Sequence, residues 1–301
     1  MSAPKVSVAV VGMAGPESLA ACLAALANQR GAPELEVVVT HDPALEDMAR
    51  AAAGYPDVRV VPNVGQQSPL ELAARAIQNT HGDVVLVTKD YCVPHPDWAR
   101  TLVDALEGGW AAVGGPVDIN PGASKVEWAF TFIDFFPYTS PVPAGVAATL
   151  TVCNAAYRRA DLEALDLDWR THFQEQVVNQ ALVARADLPL GLVPEAPVTL
   201  VRPVNLQEAM RERFQLGRVF AAKRLEYTSP AKTWALRVGA PMLPPLMVGR
   251  MANKARRSQS LLRTFTKALP PLSALVAARV AGEWVGYLTG ADGLDTGSER
   301  G

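Results

Sequence analysis

The sequence of 301 residues contains little of several residue types, and each shortage excludes a class of protein. Its three cysteines, Cys22, Cys92 and Cys153, are far apart and odd in number, which indicates neither a disulfide framework nor a cysteine metal site. We expect reduced, mostly buried thiols in a cytosolic compartment. No stretch reaches the ~18 uninterrupted apolar residues of a plain membrane span. The first residues also lack the layout of a signal peptide.

The motifs of several enzyme classes are missing as well. The four histidines have no metal-ligand spacing. No P-loop and no dinucleotide-binding glycine fingerprint is present, and no serine or cysteine stands in a nucleophile-elbow motif. Hydrophobic residues make up 49% and charged residues only 19%, so the chain can build a sizeable core. Its length allows one large domain or one domain with an appendage.

The net charge of -2 conceals two regions of opposite sign. Residues 1–201 carry 12 basic and 23 acidic side chains, whereas residues 202–267 carry 14 basic and 3 acidic ones. A basic segment beside apolar runs favours an anionic membrane surface or an anionic ligand as its partner. The alternative is a solvated basic face that docks on the acidic domain. Few aromatic residues interleave with the basic ones, so we do not expect nucleic acid as a partner.

Apolar, β-branched runs alternate with helical patterns through the first part of the chain. Four short runs predict buried strands, at Val6–Val11, Val37–Val39, Val58–Val61 and Val84–Val87. Helices are predicted from Pro16, over Ala44–Ala53 and over Leu70–Ile77, the last one capped by Ser68. Strands and helices that alternate at this spacing predict a doubly wound, largely parallel α/β sheet.

The stretch from His81 to Trp98 combines a buried strand, the polar break Thr88-Lys89-Asp90, a turn with two prolines and the start of a helix. An open α/β sheet presents its chemistry at the carboxyl ends of its strands. The sequence therefore predicts the functional site next to this polar break.

Several motifs resemble those of the family 2 glycosyltransferases of the GT-A fold. Cys92-Val93-Pro94-His95-Pro96-Asp97-Trp98 fits the C-V-P-x-P-x-W pattern that follows the metal-binding turn of that family. The first strand and helix, the Gly114-Gly115-Pro116 turn and the N-x-S/A-Y-R-R pattern that begins at Asn154 are also similar. The resemblance extends over roughly residues 5–225. It implies a GT-A-like sheet and sugar transfer from a nucleotide-sugar donor.

The resemblance also implies roles for individual residues. Asp42, Thr88, Asp90 and Asn154 would hold the donor, Lys89 its diphosphate, and Glu175 would act as base toward the acceptor hydroxyl. Gly114, Gly115 and Arg218 would lie on the acceptor side. Two of these residues have simpler explanations: Asp42 is equally well explained as a helix cap before Pro43, and Glu175 as ordinary chemistry of a helix N-terminus.

Three departures from the family pattern concern the metal ion. The two metal-binding aspartates of the family correspond to Lys89 and Tyr91, and its acidic pair to Glu175-Gln176. The histidine that often ligates the metal is also missing, because Leu200-Val201-Arg202 stands there. A lysine repels a metal at close range, so we expect at most an Mg²⁺ or Mn²⁺ ion bound weakly through Asp90. Lys89 itself can meet the diphosphate.

The C-terminal region predicts helices that lie on a membrane. Its apolar runs, residues 234–251 and 269–288, are interrupted by prolines and charges, and a basic amphipathic stretch separates them. The alternative is a helical appendage packed on the core or on a dimer partner. Residues 119–147 are rich in proline, glycine and aromatics, and indicate either an acceptor-facing lid or a core extension.

These observations predict three segments. Residues 1–228 would form a GT-A-like nucleotide-sugar-binding domain, residues 229–290 a basic, membrane-apposed helical appendage, and residues 291–301 a disordered tail. The expected function is sugar transfer to a lipid-linked or polysaccharide acceptor of the cell envelope, at the cytoplasmic face of the membrane. The alternative is a catalytically impaired homologue that binds nucleotide or a partner as a membrane-associated scaffold.

Overall fold

The computed structural model describes residues 5–226 apart from 33, 63 and 66, single residues at 228, 234 and 239, and residues 242–290. The predicted tail and most of residues 229–241 lie outside the described residues. The chain divides into two compact units, Met1–Asn120 with Tyr138–Arg202, and Pro121–Pro137 with Pro203–Gly301. The helix Leu206–Glu226 belongs to the second unit and packs along the helix Gln259–Thr289, and the predicted boundary at residue 228 remains a prediction.

The first unit is built on two sheets. Among the residues that the structure describes, its strands are β1 Val6–Gly12, β2 Leu35–His41, β3 Val58–Val60, β4 Val84–Lys89, β5 Cys92–Pro94, β6 Ala112–Gly114, β7 Val117–Ile119, β8 Gly145–Ala147, β9 Asn154–Arg158, β10 Leu190–Leu192 and β11 Val198–Leu200. The large sheet has the order β3-β2-β1-β4-β9-β6-β10-β8. Strands β1 to β4 pair in parallel, and β9 and β8 run antiparallel to their neighbours. This confirms the predicted doubly wound, mostly parallel sheet.

The small sheet has the order β5-β11-β7 and was not predicted. Cys92-Val93-Pro94 was expected to form a turn, but these residues pair antiparallel with β11, with Val198 opposite Pro94. A three-residue strand of this kind depends on a partner that lies far away in sequence, which local propensity does not reveal.

The helices of the described residues follow the predicted alternation in the first unit and add a cluster in the second. They are α1 Pro16–Ala27, α2 Met48–Ala52, α3 Pro69–Gln78, α4 Trp98–Leu106, α5 Lys125–Phe135, α6 Arg159–Glu163, α7 Glu175–Ala186, α8 Leu206–Glu226, α9 Leu243–Ala255 and α10 Gln259–Thr289. Ser68 caps α3 in a capping box with Glu71, as predicted. Helix α2 is shorter than predicted, because its first turn begins only after Asp47, whose φ is 61°.

The second unit consists of α5, α8, α9 and α10. Glycines bring α8 and α10 into close contact: a Cβ atom on Gly282 would lie 2.0 Å from the carbonyl oxygen of Phe214. Helix α10 continues through Pro270 and Pro271, which stand in the apolar run 269–288. Residues 119–147, interpreted as a lid or a core extension, contain α5, which starts at a capping box of Ser124 and Glu127. None of the described helices is both long and apolar enough to cross a membrane.

Candidate active site

The carboxyl end of β1 lies between the ends of β2 and β4. In the strand register Gly12 pairs with His41 of β2, and Val11 pairs with Lys89 of β4. The strand order reverses at this point, and open α/β sheets bind their ligands at such a switch point. The N–H groups of Asp42 and Asp90 donate hydrogen bonds of 3.1 Å to the carbonyl oxygens of Gly12 and Val11, respectively. The two predicted aspartates therefore lie on either side of the end of β1.

Asp90 holds the turn between β1 and α1. Its side chain is fully buried, and Oδ2 accepts N–H hydrogen bonds from Ala14 at 2.8 Å and Gly15 at 3.2 Å. Gly15 has φ 114°, a left-handed conformation that favours glycine. Burial raises the pKa of Asp90, and the surrounding N–H groups act in the opposite direction. The other oxygen, Oδ1, has no hydrogen-bond partner among the described residues.

Asp42 forms a turn of its own at the end of β2. It is partly exposed, and its Oδ1 accepts a hydrogen bond from the N–H of Ala44 at 2.9 Å. Since α2 begins only at Met48, Asp42 does not cap that helix. The position beside β1 agrees with the predicted role in donor binding, which remains a prediction.

Lys89 places a positive charge at the end of β4. It is partly exposed, and its Nζ atom lies 5.6 Å from the ring centroid of Tyr91, which is buried. Burial alone would lower the pKa of Lys89, but the Tyr91 hydroxyl and the thiols of Cys153 and Cys92 raise it above its ordinary value. Burial raises the pKa of Tyr91, so this phenol is neutral at physiological pH.

Arg202 lies beside the same ring and was not predicted as a site residue. Its guanidinium carbon is 5.5 Å from the ring centroid of Tyr91. The backbone fixes this placement, because the N–H of Val201 donates to the carbonyl oxygen of Tyr91 at 2.7 Å. The hydroxyl of Ser18 also donates to the carbonyl oxygen of Val201, at 3.4 Å. In the sequence Arg202 stands near the missing histidine of the family, which is the signal that could have identified it.

Asn154 is fully buried and satisfied by protein groups. Its Oδ1 accepts a hydrogen bond from Nε1 of Trp98 at 2.8 Å, and its Nδ2 donates to the carbonyl oxygens of Pro116 at 2.9 Å and Ala196 at 2.8 Å. Thr88 is likewise buried and donates to the carbonyl oxygen of Cys153. Both side chains hold neighbouring segments together, and their predicted contact with a donor remains a prediction.

The residues predicted on the acceptor side lie in both units. Gly114 and Gly115 are buried at the end of β6, where a Cβ atom on Gly115 would lie 1.9 Å from the carbonyl oxygen of Ala196. These glycines permit close backbone packing. Arg218 belongs to α8 in the second unit, where its backbone contacts Gly286.

Glu175, the predicted base, is the first residue of α7 and is partly exposed. Burial raises the pKa of the nearby Tyr138, and the charge of Glu175 raises it further. Burial also raises the pKa of Cys153, and so does the charge of Glu175. A hydrogen bond from Cys92 and the charge of Lys89 outweigh both effects and lower this pKa to about 7.

A cavity of about 540 Å³ adjoins α7 next to Glu175. It is lined by the amide side chains of Gln176 and Gln180, by Thr149, and by aliphatic residues that include Val146 and Leu190. Gln176 directly follows Glu175 in the chain. A polar and aliphatic lining of this kind suits a ligand that has both hydroxyl groups and C–H surfaces.

The residues that correspond to the metal ligands of the resembled family do not fit a divalent cation. Hard cations such as Mg²⁺ take oxygen ligands, mainly carboxylates. Lys89 and Tyr91 occupy the two aspartate positions, and Leu200-Val201-Arg202 stands where the histidine is missing, so none of these positions supplies a carboxylate. Asp90 is the one carboxylate in this turn, and its Oδ2 is engaged by N–H groups. Among the residues that the structure describes, no group of three His, Cys, Asp or Glu side chains could hold an ion.

Comparison with known proteins agrees with this geometry. Residues 7–166, more than half of the chain, match glycosyl transferase family 2, and the chain belongs to this family of glycosyltransferases. Its fold resembles that of the mannosyltransferase PcManGT from Pyrobaculum calidifontis in complex with GDP-Man and Mn²⁺, at 16% identity and a TM-score of 0.55, covering 94% of this chain and 88% of that one. It also resembles S. aureus TarS, at 14% identity and a TM-score of 0.50, covering 93% of this chain and 55% of that one. No curated protein matches the sequence.

Proposed function

We propose that this glycosyltransferase moves a sugar from a nucleotide-sugar donor to a lipid-linked or cell-envelope acceptor at the cytoplasmic face of the membrane, without a tightly bound metal. The observation that carries the proposal is the position of Lys89 at the switch point of the sheet, beside the two aspartates that flank the end of β1. The mannosyltransferase of similar fold was solved with a donor of this class, GDP-Man.

The protein binds the donor at its nucleoside and at its diphosphate. Asp42, at the end of β2, accepts hydrogen bonds from the nucleoside, while Asp90 keeps the turn at Ala14 and Gly15 in shape. The Lys89 ammonium faces the diphosphate. Because negative charge grows on the leaving diphosphate as the sugar departs, a cation fixed at this point stabilises the transition state more than the ground state.

Glu175 takes the proton of the acceptor. The acceptor oxygen forms a bond to the anomeric carbon of the sugar, the bond between that carbon and the diphosphate breaks, and the hydroxyl proton passes to the Glu175 carboxylate. Glu175 is partly exposed, and the next residue, Gln176, lines the cavity beside α7, which we propose as the acceptor route. A base in this position typically contributes about 10²- to 10⁴-fold to the rate.

The second unit supports the membrane part of the proposal. Leu216 and Phe220 on α8, and Trp284 and Leu288 on α10, are each about half exposed. Together with the excess of basic residues between positions 202 and 267, exposed apolar side chains of this kind favour the surface of an anionic bilayer. We therefore place the enzyme peripherally at the inner face of the membrane.

The test measures release of nucleoside diphosphate from nucleotide sugars in the presence of membrane lipid extract as the source of acceptors. Glu175→Gln should lower turnover by about 10²-fold or more while donor binding persists, and Lys89→Ala should abolish turnover. Glu107→Gln and Lys125→Ala change exposed residues of the same types and serve as controls. Full activity in both site variants would refute the assigned roles. Nucleotide binding without any turnover in the parent would favour the impaired scaffold.

A further inference from the structure

Two cations lie against a single aromatic ring at the end of β4. Nζ of Lys89 is 5.6 Å from the ring centroid of Tyr91, and the guanidinium carbon of Arg202 is 5.5 Å from it. The two charges are therefore no farther apart than the sum of these distances. Both side chains are partly exposed, whereas the Tyr91 ring is only 4% exposed.

The surrounding backbone makes this arrangement rigid. Lys89 is the last residue of β4 and is held in register with Val11 of β1. Arg202 follows β11, which pairs with β5 immediately after Tyr91, and the Val201–Tyr91 hydrogen bond of 2.7 Å closes this connection. Both cations are thus positioned by the sheets rather than by long loops. A ligand that binds them therefore costs little conformational entropy of the protein.

The pair supplies the charge that a divalent cation would otherwise provide. Lys89 and Arg202 carry one positive charge each at neutral pH. The carboxylate in the turn, Asp90, accepts hydrogen bonds from the N–H groups of Ala14 and Gly15 through its Oδ2. Guanidinium groups bind phosphate oxygens in a bidentate manner, and an ammonium group acts as a point charge.

We propose that Lys89 and Arg202, which both pack against the Tyr91 ring, form a two-cation clamp that binds the diphosphate of a nucleoside diphosphate in place of a divalent metal. The clamp rests on the proposed function, since it acts on the same donor. It adds Arg202 as a second group that contacts the leaving diphosphate. Nothing in the sequence comparison assigns a role to this arginine.

The experiment is calorimetric titration of the full chain with GDP, UDP and the matching nucleosides in the presence of EDTA. Arg202→Ala and Lys89→Ala should each weaken binding of the diphosphate by about 10- to 100-fold, the usual range for a charge-assisted hydrogen bond. Arg202→Lys should recover part of the loss, and Arg202→Gln should not. Arg50→Ala removes an arginine whose side chain is 81% exposed and should leave binding unchanged.

The nucleoside titrations separate contact from a merely structural role. A residue that only stabilises the fold would weaken nucleoside and diphosphate alike, whereas loss of the clamp weakens only the diphosphate. Equal diphosphate affinity in the parent and in Arg202→Ala would overturn the clamp and leave the proposed function intact. Binding of the diphosphate by the parent only when manganese replaces EDTA would overturn both the clamp and the metal-free part of the proposed function. No binding of GDP or UDP by the parent under either condition would overturn both proposals.

Discussion

The buried amide of Asn154 offers a sharp test of the distinction between residues that shape the site and residues that contact the donor. In Asn154→Ala, the indole N–H of Trp98 loses its acceptor, and the carbonyl oxygens of Pro116 and Ala196 lose their donor. All three hydrogen bonds are buried. An unsatisfied buried polar group costs about 1–3 kcal/mol. Because a water molecule can occupy part of the vacated space, we expect a total loss of about 3–5 kcal/mol rather than the full sum.

Asn154→Asp separates the acceptor from the donor function of this side chain. One carboxylate oxygen can still accept from Trp98, but the other faces the two carbonyl oxygens that Nδ2 satisfied. A buried charge that faces acceptors is strongly unfavourable. We therefore expect this variant to lose at least as much stability as Asn154→Ala at neutral pH, and to recover part of it in acid, where a protonated carboxyl can donate.

The assay is urea unfolding of the full chain, with Asn28→Ala as the control. Asn28 is exposed and makes a local hydrogen bond to the carbonyl oxygen of Ala24, so its removal should cost less than about 1 kcal/mol. A loss below about 1 kcal/mol in Asn154→Ala, together with impaired nucleotide binding, would refute the reasoning. That result would show that Asn154 contacts the donor directly.

Three further perturbations test the packing, the electrostatics and the acceptor side. Gly282→Ala should destabilise the second unit by about 1–3 kcal/mol in thermal unfolding, because its Cβ atom would collide with the Phe214 carbonyl, whereas Gly249→Ala meets nothing within 4 Å and should be neutral or slightly stabilising. Burial acts to raise the pKa of Glu36, but hydrogen bonds from Ser7, His81 and Arg59 lower it to about 2. The ionised Glu36 carboxylate therefore stabilises the folded state above pH 4.5, and this stabilisation is lost as the pH falls toward 2. With screening at this partly exposed group it amounts to about 1–2 kcal/mol, and Glu36→Gln should flatten acid unfolding curves over that range. Ala184→Trp, which fills the cavity beside α7, should raise the KM for the acceptor and leave donor binding unchanged; an unaltered KM would exclude that cavity as the acceptor route.

The parallel half of the large sheet was predictable because its strands carry their own signal. The β-branched runs of β1 and β4 are buried on both faces, and the capping box of α3 marks its start within four residues. The capping box of Ser124 and Glu127 carries the same signal for α5, but the aromatic and proline content around it directed the interpretation toward a lid. The composition of the surrounding residues therefore concealed the capping box that marks the start of α5.

Other features depend on contacts that no local pattern encodes. Proline ordinarily interrupts a helix, yet α10 continues through Pro270 and Pro271, and residues on either side of them, such as Phe265 and Leu272, are buried. Likewise, Arg202 and Tyr91 become neighbours only through the pairing of β11 with β5. The sequence showed that the metal ligands were missing; only the tertiary structure shows two cations at one ring.

The most direct test of the central claim is the affinity of the unmodified chain for UDP, GDP and their sugar conjugates, measured by calorimetry in paired titrations with EDTA and with manganese. A site in which protein cations neutralise the diphosphate should bind its nucleotide equally well in both, with affinity that falls as salt is raised. An affinity at least tenfold higher with manganese would contradict the account, because it would show that Asp90 still anchors a functional ion.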